Sequence, residues 1–292
     1  MNIFVTGATG FTGSHVVPLL LKHGYKLRCL YRSTSDRTLC LDAARRELPS
    51  SELEWSQGDL SDTQALSASL RGTDILVNIA SLGFGHAESI IRAAKDAGVK
   101  RAIFISTTAI FTQLNANSKI VRTAAEQAIT TSGLDYTILR PTMIYGTPRD
   151  RNMWRLIRLV RRLPVIPIFG DGKYLQQPIH VGDVAAAVLG CVQTSATIGK
   201  AYNIAGAHPL TYNDVVDTIA TALHKRVFKA HIPAAPVVAM LKLFERLKLP
   251  FPIKAEQVLR LNEDKAFEYT EAQRDFGFRP ISFAEGIAKE LE

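Results

Sequence analysis

Short apolar runs alternate with helical patterns through the first half of the chain. Runs at 2–6, 26–31, 53–57, 74–80, 101–106 and 136–140 read as strands. Helical spacing at 13–23, 37–47, 62–71, 86–97 and 119–132 fills the gaps between them. The end signals agree: Gly24 and Gly98 stand where two helices stop, and Asp62 stands where another starts. Strands alternating with helices of this length predict right-handed crossovers and a parallel sheet, an α/β doubly wound architecture. Pro18 goes against the pattern, because it removes one backbone hydrogen bond inside the first helix.

From residue 145 onward the pattern loosens. Prolines at 148, 164, 167 and 178 punctuate it, together with the turn Phe169-Gly170-Asp171-Gly172. A helix near 182–193 and a short strand near 201–204 follow, then helices at 211–224, 234–247 and 271–276. No Ser/Gly linker, repeat or low-complexity tract separates the halves, so the second half reads as a smaller lobe inserted and appended to the first. The expected division is a nucleotide-binding domain over 1–165, with 178–206 returning to it, and a substrate lobe over 166–177 and 207–292.

The first strand runs straight into Thr6-Gly7-Ala8-Thr9-Gly10-Phe11-Thr12-Gly13, and the first helix follows with Val16, Val17, Leu19, Leu20 and Leu21. Glycines at 7, 10 and 13 let the chain turn sharply, let a phosphate approach the backbone and let a helix pack close to a strand. The free N–H groups and the dipole at the helix start favour a pyrophosphate. A strand–glycine turn–helix in this order predicts dinucleotide binding. The alternative is a tight turn that only joins two elements.

Composition narrows the picture further. The 292 residues suffice for one large domain with a lobe, and 47% hydrophobic with 21% charged residues is ordinary for a globular protein. A net charge of +8 suits a phosphorylated cofactor, a polyanionic small molecule or an acidic membrane surface. No Lys/Arg run interleaves with aromatics, so nucleic acid is not expected as a partner. Cys29, Cys40 and Cys191 have neither metal-ligand nor disulfide spacing, and Cys29 and Cys191 fall in apolar patterns as core thiols. No signal sequence precedes the first strand, so the expected compartment is the cytoplasm. The longest apolar run, 232–241, has ten residues and two prolines, too short to span a bilayer.

With these motifs in place, the chain resembles the extended short-chain dehydrogenases/reductases over nearly its whole length. The resemblance begins at the glycine turn. It continues through Gly58-Asp59-Leu60, Ile79-Ala80-Ser81, Ile105-Ser106-Thr107-Thr108-Ala109-Ile110-Phe111 and Leu139-Arg140-Pro141-Thr142-Met143-Ile144-Tyr145-Gly146. It ends with Pro178-Ile179-His180-Val181-Gly182-Asp183-Val184-Ala185 and Tyr202-Asn203-Ile204-Ala205-Gly206. It implies a Rossmann domain with a small C-terminal α/β lobe. It implies cofactor contacts from Gly7, Thr9, Gly10, Phe11, Thr12, Arg32, Ser33, Asp59, Leu60, Ala80, Ser81, Arg122, Pro141 and Ile144, with Asp59 on the adenine. Such proteins include nucleotide-sugar epimerases and dehydratases, hydroxysteroid and flavonoid reductases, and atypical members without evident turnover. A homodimer through the helices at 86–97 and 119–132 is a further expectation from the resemblance.

The end of the second strand bears on the choice of cofactor. It reads Tyr31-Arg32-Ser33-Thr34-Ser35, with no carboxylate at the tip for a ribose 2′-hydroxyl. Arg32 suits a 2′-phosphate and Ser33 offers a hydroxyl, while Asp36 reads as a cap or loop residue. NADP(H) is therefore expected, with NAD(H) as the alternative. Arg32 as a solvated loop cation is the competing reading.

The resemblance implies a catalytic Ser or Thr, a Tyr, and a Lys four residues after the Tyr. Thr107 falls at the first position, four residues before Phe111; a strand-end threonine facing solvent or cofactor is the competing reading. The Tyr and Lys are absent. Relatives carry Glu four residues after the Lys, and Arg122 and Glu126 keep that spacing, so Arg122 takes the Lys place and Ser118 the Tyr place. A second register puts Lys119 and Asn115 there. Neither supplies a phenol, and no tyrosine occurs between Tyr31 and Tyr136. Serine is far less acidic than a phenol and guanidinium does not act as a base, so general acid–base work falls to Thr107, water, the substrate or a lobe residue. Lys119, Tyr145, Tyr174 and His180 are the nominal candidates.

Two surface patterns remain. Arg151, Arg155, Arg158 and Arg162 share one helical face, either a solvated basic face or a site for a diphosphate or anionic headgroup. Residues 233–249 place Val237, Leu241, Phe244 and Leu247 on an apolar face, with Lys242, Arg246 and Lys248 at its edges. That helix packs on the core or lies at a lipid surface. The expected function is an NAD(P)(H)-dependent oxidoreductase or epimerase-like activity on a nucleotide sugar, or on a related hydroxy/keto compound that can bear a diphosphate. The alternatives are a catalytically silent NADP(H)-binding sensor or assembly subunit, and a reductase of a lipid-linked substrate in peripheral contact with a membrane.

Overall fold

A computed structural model describes residues 1–38, 40, 52–114, 117–150, 152–251 and 253–291. In chain order the first elements are β1 (Asn2–Thr6), α1 (Gly13–Lys22), β2 (Lys26–Tyr31), β3 (Leu53–Gln57), α2 (Thr63–Leu70), β4 (Ile75–Asn78), α3 (Ala87–Asp96), β5 (Arg101–Ile105), α4 (Asn117–Thr130) and β6 (Asp135–Pro141). Next come β7 (Ile144–Tyr145), α5 (Met153–Arg162), β8 (Val165–Phe169), β9 (Leu175–Gln176), β10 (Ile179–His180), α6 (Val181–Gln193) and β11 (Lys200–Ile204). The chain ends with β12 (Leu210–Thr211), α7 (Tyr212–Ala222), β13 (Phe228–Ile232), α8 (Ala234–Arg246), α9 (Ala255–Leu261), α10 (Thr270–Phe276) and α11 (Phe283–Leu291).

Seven parallel strands form the central sheet in the order β11-β6-β5-β4-β1-β2-β3. The strand order reverses at β1, between β4 and β2, and a ligand crevice opens at the carboxyl ends of such strands. Alternation along β1 explains the two layers. Ile3 and Val5 face a cluster with Val16, Val17 and Leu20 of α1 and Val184, Val188 and Cys191 of α6. Phe4 faces the other side, with Leu66 and Leu70 of α2, Ile90 and Ala94 of α3, and Ala125 and Ile129 of α4. Cys29, Cys40 and Cys191 are buried free thiols, and burial raises the pKa of each.

The six long runs expected as strands all lie in this sheet, joined at its edge by β11. Helix α1 continues through Pro18. The expected helix at 37–47 falls mostly outside the described residues. The lobe holds elements the sequence pattern did not suggest. Strands β8 and β13 pair in parallel, and Pro167, which reads as loop punctuation, sits inside β8. A proline is tolerated in a short two-stranded ladder because one edge makes no ladder bonds. The apolar face of α5 (Met153, Ile157, Val160) packs with Ile166, Ile168, Val215, Ile219 and Ile287 in the lobe core, and Arg155, Arg158 and Arg162 of its basic stripe are exposed. Arg151 lies outside the described residues.

Where the lobe meets the sheet, Asp150 and Glu290 are both buried to 6% exposure. Asp150 Oδ1 accepts from the Asn152 and Trp154 amides at 3.1 and 3.0 Å, whereas the Glu290 carboxyl faces Asp150 and meets no donor among the described residues at ordinary hydrogen-bond geometry. Burial, reinforced by nearby Asp150, pushes the Glu290 carboxyl up to about 8. The folded state thus holds a proton that the unfolded chain releases above its ordinary value of 4.5. Stability should fall as pH rises toward 8, by up to about 1.4 kcal/mol per pH unit. Asp183, raised to about 6 by burial, acts in the same sense at lower pH. Urea unfolding between pH 6 and 8 should show this decline, and Glu290→Gln should flatten it. An unchanged slope would remove the assignment.

Candidate functional site

The glycine turn lies at the switch point of the sheet. Gly7 has φ +71°, and a Cβ there would lie 2.7 Å from the Ala80 amide nitrogen beyond β4. A Cβ on Gly13 would lie 2.2 Å from the Gly7 carbonyl oxygen and 2.6 Å from that of Ala8. Gly10 closes the turn by donating its N–H to the Gly7 carbonyl at 3.0 Å. The amides of Phe11, Thr12 and Gly13 donate to nothing among the described residues, as expected for the first turn of a helix. The Ser14 hydroxyl donates to the Phe11 carbonyl at 2.9 Å, and the His15 ring stands edge-on to the Phe11 ring. Thr6 Oγ1 donates to Asn78 Oδ1 at 2.6 Å, and Asn78 Nδ2 donates to the Ala80 carbonyl at 3.0 Å. That relay ties the end of β1 to the Ala80-Ser81 segment.

The tip of β2 is more basic than the sequence reading anticipated. Arg32 and Ser33 are exposed, in a turn closed by the Ser35 amide donating to the Arg32 carbonyl at 2.8 Å. Asp36 turns its carboxylate onto the Thr38 amide and hydroxyl at 2.9 and 2.6 Å, in keeping with its reading as a cap or loop residue. The Arg37 guanidinium stacks 4.4 Å above the Tyr31 ring, and the charge of Arg149 is felt at both Asp36 and His15. Neither arginine was singled out from sequence. Stacking is invisible in a linear pattern, and Arg149 arrives from the loop before α5.

Asp59 is exposed after β3, and its Oδ1 accepts from the Ser61 amide and hydroxyl at 2.9 and 2.6 Å, which lowers its pKa. The Leu60 carbonyl accepts from the Ser89 hydroxyl at 2.8 Å. Ser81 caps a short turn of 3-10 helix at Leu82–Phe84 by accepting from the Gly83 amide at 3.2 Å. Pro141 is buried at the end of β6, and Ile144 pairs with Ile179 in the β7–β10 ladder. All of these residues lie at or just past the carboxyl ends of β1 to β6.

Thr107 follows β5, and its Oγ1 accepts from the Ala109 amide at 3.2 Å. Arg122, in α4, is half-buried with its guanidinium against Gly83; a Cβ on Gly83 would lie 3.2 Å from Arg122 Nε. No hydrogen-bond or carboxylate partner of Arg122 exists among the described residues, and burial together with the charge of Arg260 lowers its pKa. Ser118 lies half-buried in the first turn of the same helix. Lys119 is committed elsewhere, donating to the Thr112 carbonyl at 2.6 Å, and Asn115 lies outside the described residues. Glu126 is a structural group: it takes a bidentate contact from Arg140, with Nη2 to Oε2 at 2.6 Å, and accepts from the Ser106 hydroxyl at 2.5 Å.

Of the other nominal proton donors, Tyr145 is buried with its hydroxyl toward the Phe283 carbonyl, and burial raises its pKa. His180 caps α6 by accepting from the Gly182 amide at 3.1 Å, and burial lowers it to about 4. Both are packing groups. A strap from the C-terminal region crosses the site instead. Glu263 accepts from the Thr112 hydroxyl at 2.7 Å and from the Gln113 amide at 2.5 Å, and the Phe267 ring meets that of Phe111 at 5.7 Å. Lys265 on the strap donates to Gln176 Oε1 at 3.2 Å and to the Arg260 carbonyl, and burial lowers it to about 8. Among the described residues no group of His, Cys, Asp and Glu is placed to hold a metal ion.

This geometry fits a nicotinamide dinucleotide. Unpaired helix-start amides face a turn with no room for side chains, Asp59 is fixed beyond β3, and arginines crowd the tip of β2. A family model described as NAD(P)H-binding matches residues 7–195, well over half of the chain. The chain belongs to this NAD(P)H-binding family. Among its relatives, the mitochondrial NADH dehydrogenase (ubiquinone) 1 alpha subcomplex subunit 9 of Arabidopsis thaliana is 26% identical, over 90% of this chain and 68% of that protein. The ceramide reductase of Caulobacter vibrioides is 30% identical over 66% of this chain and 61% of its own length. The dTDP-glucose 4,6-dehydratase DesIV of Streptomyces venezuelae, solved with NAD and TYD bound, superposes with a TM-score of 0.76 at 20% identity over 100% of this chain and 96% of that one. The fold of this NAD(P)H-binding chain is that of the extended short-chain dehydrogenases/reductases.

Proposed function

We propose that the chain is an NADP(H)-linked oxidoreductase or epimerase-like enzyme whose substrate, a nucleotide sugar or related hydroxy/keto compound, carries an anionic group. The observation behind this reading is Arg122: a half-buried guanidinium with no anionic partner among the described residues, set against Gly83 and opposed by the charge of Arg260. A phosphate or diphosphate relieves that repulsion, and guanidinium binds such anions in bidentate fashion. Arg260 is itself turned onto Glu256 at 2.8 Å, which leaves Arg122 as the unneutralised cation of the pair.

The nicotinamide, when bound, supplies or accepts the hydride. Thr107 accepts the Ala109 amide, which leaves its hydroxyl proton for a substrate oxygen. The strap of 263–267 is fastened to the Phe111–Gln113 loop through Glu263 and Phe267. The proton passes through water or the substrate's own hydroxyl, because no phenol occurs at the Ser118 place. In protein saturated with NADP, Arg122→Ala should weaken UDP binding at least about tenfold, the loss of one charge-assisted contact worth about 1.5 kcal/mol. Calorimetric titration reads this directly, and an unchanged UDP affinity would sink the anion-anchor reading.

The missing phenol favours a second reading, a catalytically silent NADP(H)-binding assembly subunit. Resemblance to a respiratory-complex subunit that matches most of the chain supports it. NADPH oxidation by the purified protein on any of a panel of nucleotide sugars and ketones would rule this second reading out.

A further inference from the structure

The tip of the lobe carries apolar side chains that the fold does not use. Helix α8 has two apolar stripes. Val238 and Leu241 face inward onto Ala255 and Val258 of the following helix. Met240, Leu243 and Leu247 face outward at i, i+3 and i+7, and Leu249 and Phe251 follow in the turn; all five are between 43% and 58% exposed. Lys248 holds that turn in the left-handed region, at φ +55°, and the Phe251 ring is fastened to Phe244 at 5.6 Å. The apolar ridge is thus shaped by its own hydrogen bonds, with the Leu249 amide donating to the Phe244 carbonyl at 2.9 Å.

The ridge is flanked by cations. Lys242, Arg246, Lys248 and Lys254 are all exposed around it. The one acid in 234–254, Glu245, is occupied in part by the Ala255 amide at 2.9 Å. Exposed leucine, methionine and phenylalanine beside lysine and arginine match the interfacial region of a bilayer, where apolar side chains enter the acyl boundary and cations meet anionic headgroups. A second copy of the chain fits poorly: a two-fold contact through this ridge brings four cations against four. Among the described residues no helix is long and apolar enough to cross a membrane, so the contact is peripheral.

We infer that the α8 ridge docks this protein on the surface of an anionic lipid bilayer. The inference stands apart from the substrate reading, since no residue of the cleft enters it. Helix α9 leads from the ridge to Arg260 in seven residues, about 10 Å.

Co-sedimentation of the full chain with phosphatidylcholine vesicles, with and without phosphatidylglycerol, tests this. Binding should appear with phosphatidylglycerol and weaken as salt is raised. The double substitution Leu243→Glu with Leu247→Glu should reduce it at least about tenfold. Both positions are more than half exposed, so the melting temperature and NADPH affinity should stay put, and those two readouts guard against misfolding. Three results would overturn the inference: no sedimentation with either vesicle, binding unaffected by the double substitution, or a wild-type dimer that the substitution converts to monomer.

Discussion

Gly13→Ala should abolish dinucleotide binding and lower the stability of the whole chain. The added methyl has nowhere to go: its nearest neighbours, at 2.2 and 2.6 Å, are the carbonyl oxygens of Gly7 and Ala8, backbone atoms fixed by β1 and by the turn itself. Relief requires α1 to move away from β1. That withdraws the unpaired amides of Phe11 and Thr12 from the phosphate position and loosens Val16, Val17 and Leu20 against the sheet. Overpacking of this kind costs about 1–3 kcal/mol in stability. The binding loss should be larger, because geometry at a pyrophosphate site tolerates little displacement. NADPH titration by fluorescence, paired with a thermal melt, measures both. Affinity within a factor of about three of wild type would show that the phosphates are held elsewhere.

On the proposed NADP(H) reading, Arg32→Asp should turn the cofactor preference from NADPH to NADH. Arg32 is exposed and makes no ion pair among the described residues, and Asp36, the nearby carboxylate, is satisfied by Thr38. On that reading, a 2′-phosphate would meet Arg32, with Arg37 and Arg149 close by, and the carboxylate of Asp36 is already taken. Reversing one charge both deletes a charge-assisted bond and adds a repulsion. NADPH affinity should fall about 100-fold, equivalent to about 2.7 kcal/mol, while NADH should hold steady or improve. Competitive titration of the two coenzymes reads the ratio. Equal losses for both would place Arg32 on the adenine face instead, a position that does not distinguish them.

How much of this was legible in the sequence follows from the range of each interaction. The six strands and the glycine turn are local patterns, and they appear where the apolar runs put them. The absence of a phenol near Thr107 is likewise a statement about sequence. Arg37 and Arg149 escaped notice because their roles depend on a ring below one and a loop crossing for the other. Glu263 escaped for the same reason: an acid after a short helix reads as surface until the fold lays it against Thr112. Strand β8 was hidden by Pro164 and Pro167, which elsewhere signal a loop. The spacing of Glu126 from Arg122 was legible, but its partners Arg140 and Ser106 were not, because they arrive from neighbouring strands.

The Glu263 clasp also sets an order of assembly during synthesis. Its partner Thr112 lies 151 residues earlier in the chain. The phosphate turn needs only β1, α1 and the Ala80 segment, all of which leave the ribosome early. At about 5–20 residues per second, the clasp becomes available roughly 8–30 s after Thr112 is made. A nascent chain can therefore form its phosphate turn while the Phe111–Gln113 loop still waits for Glu263.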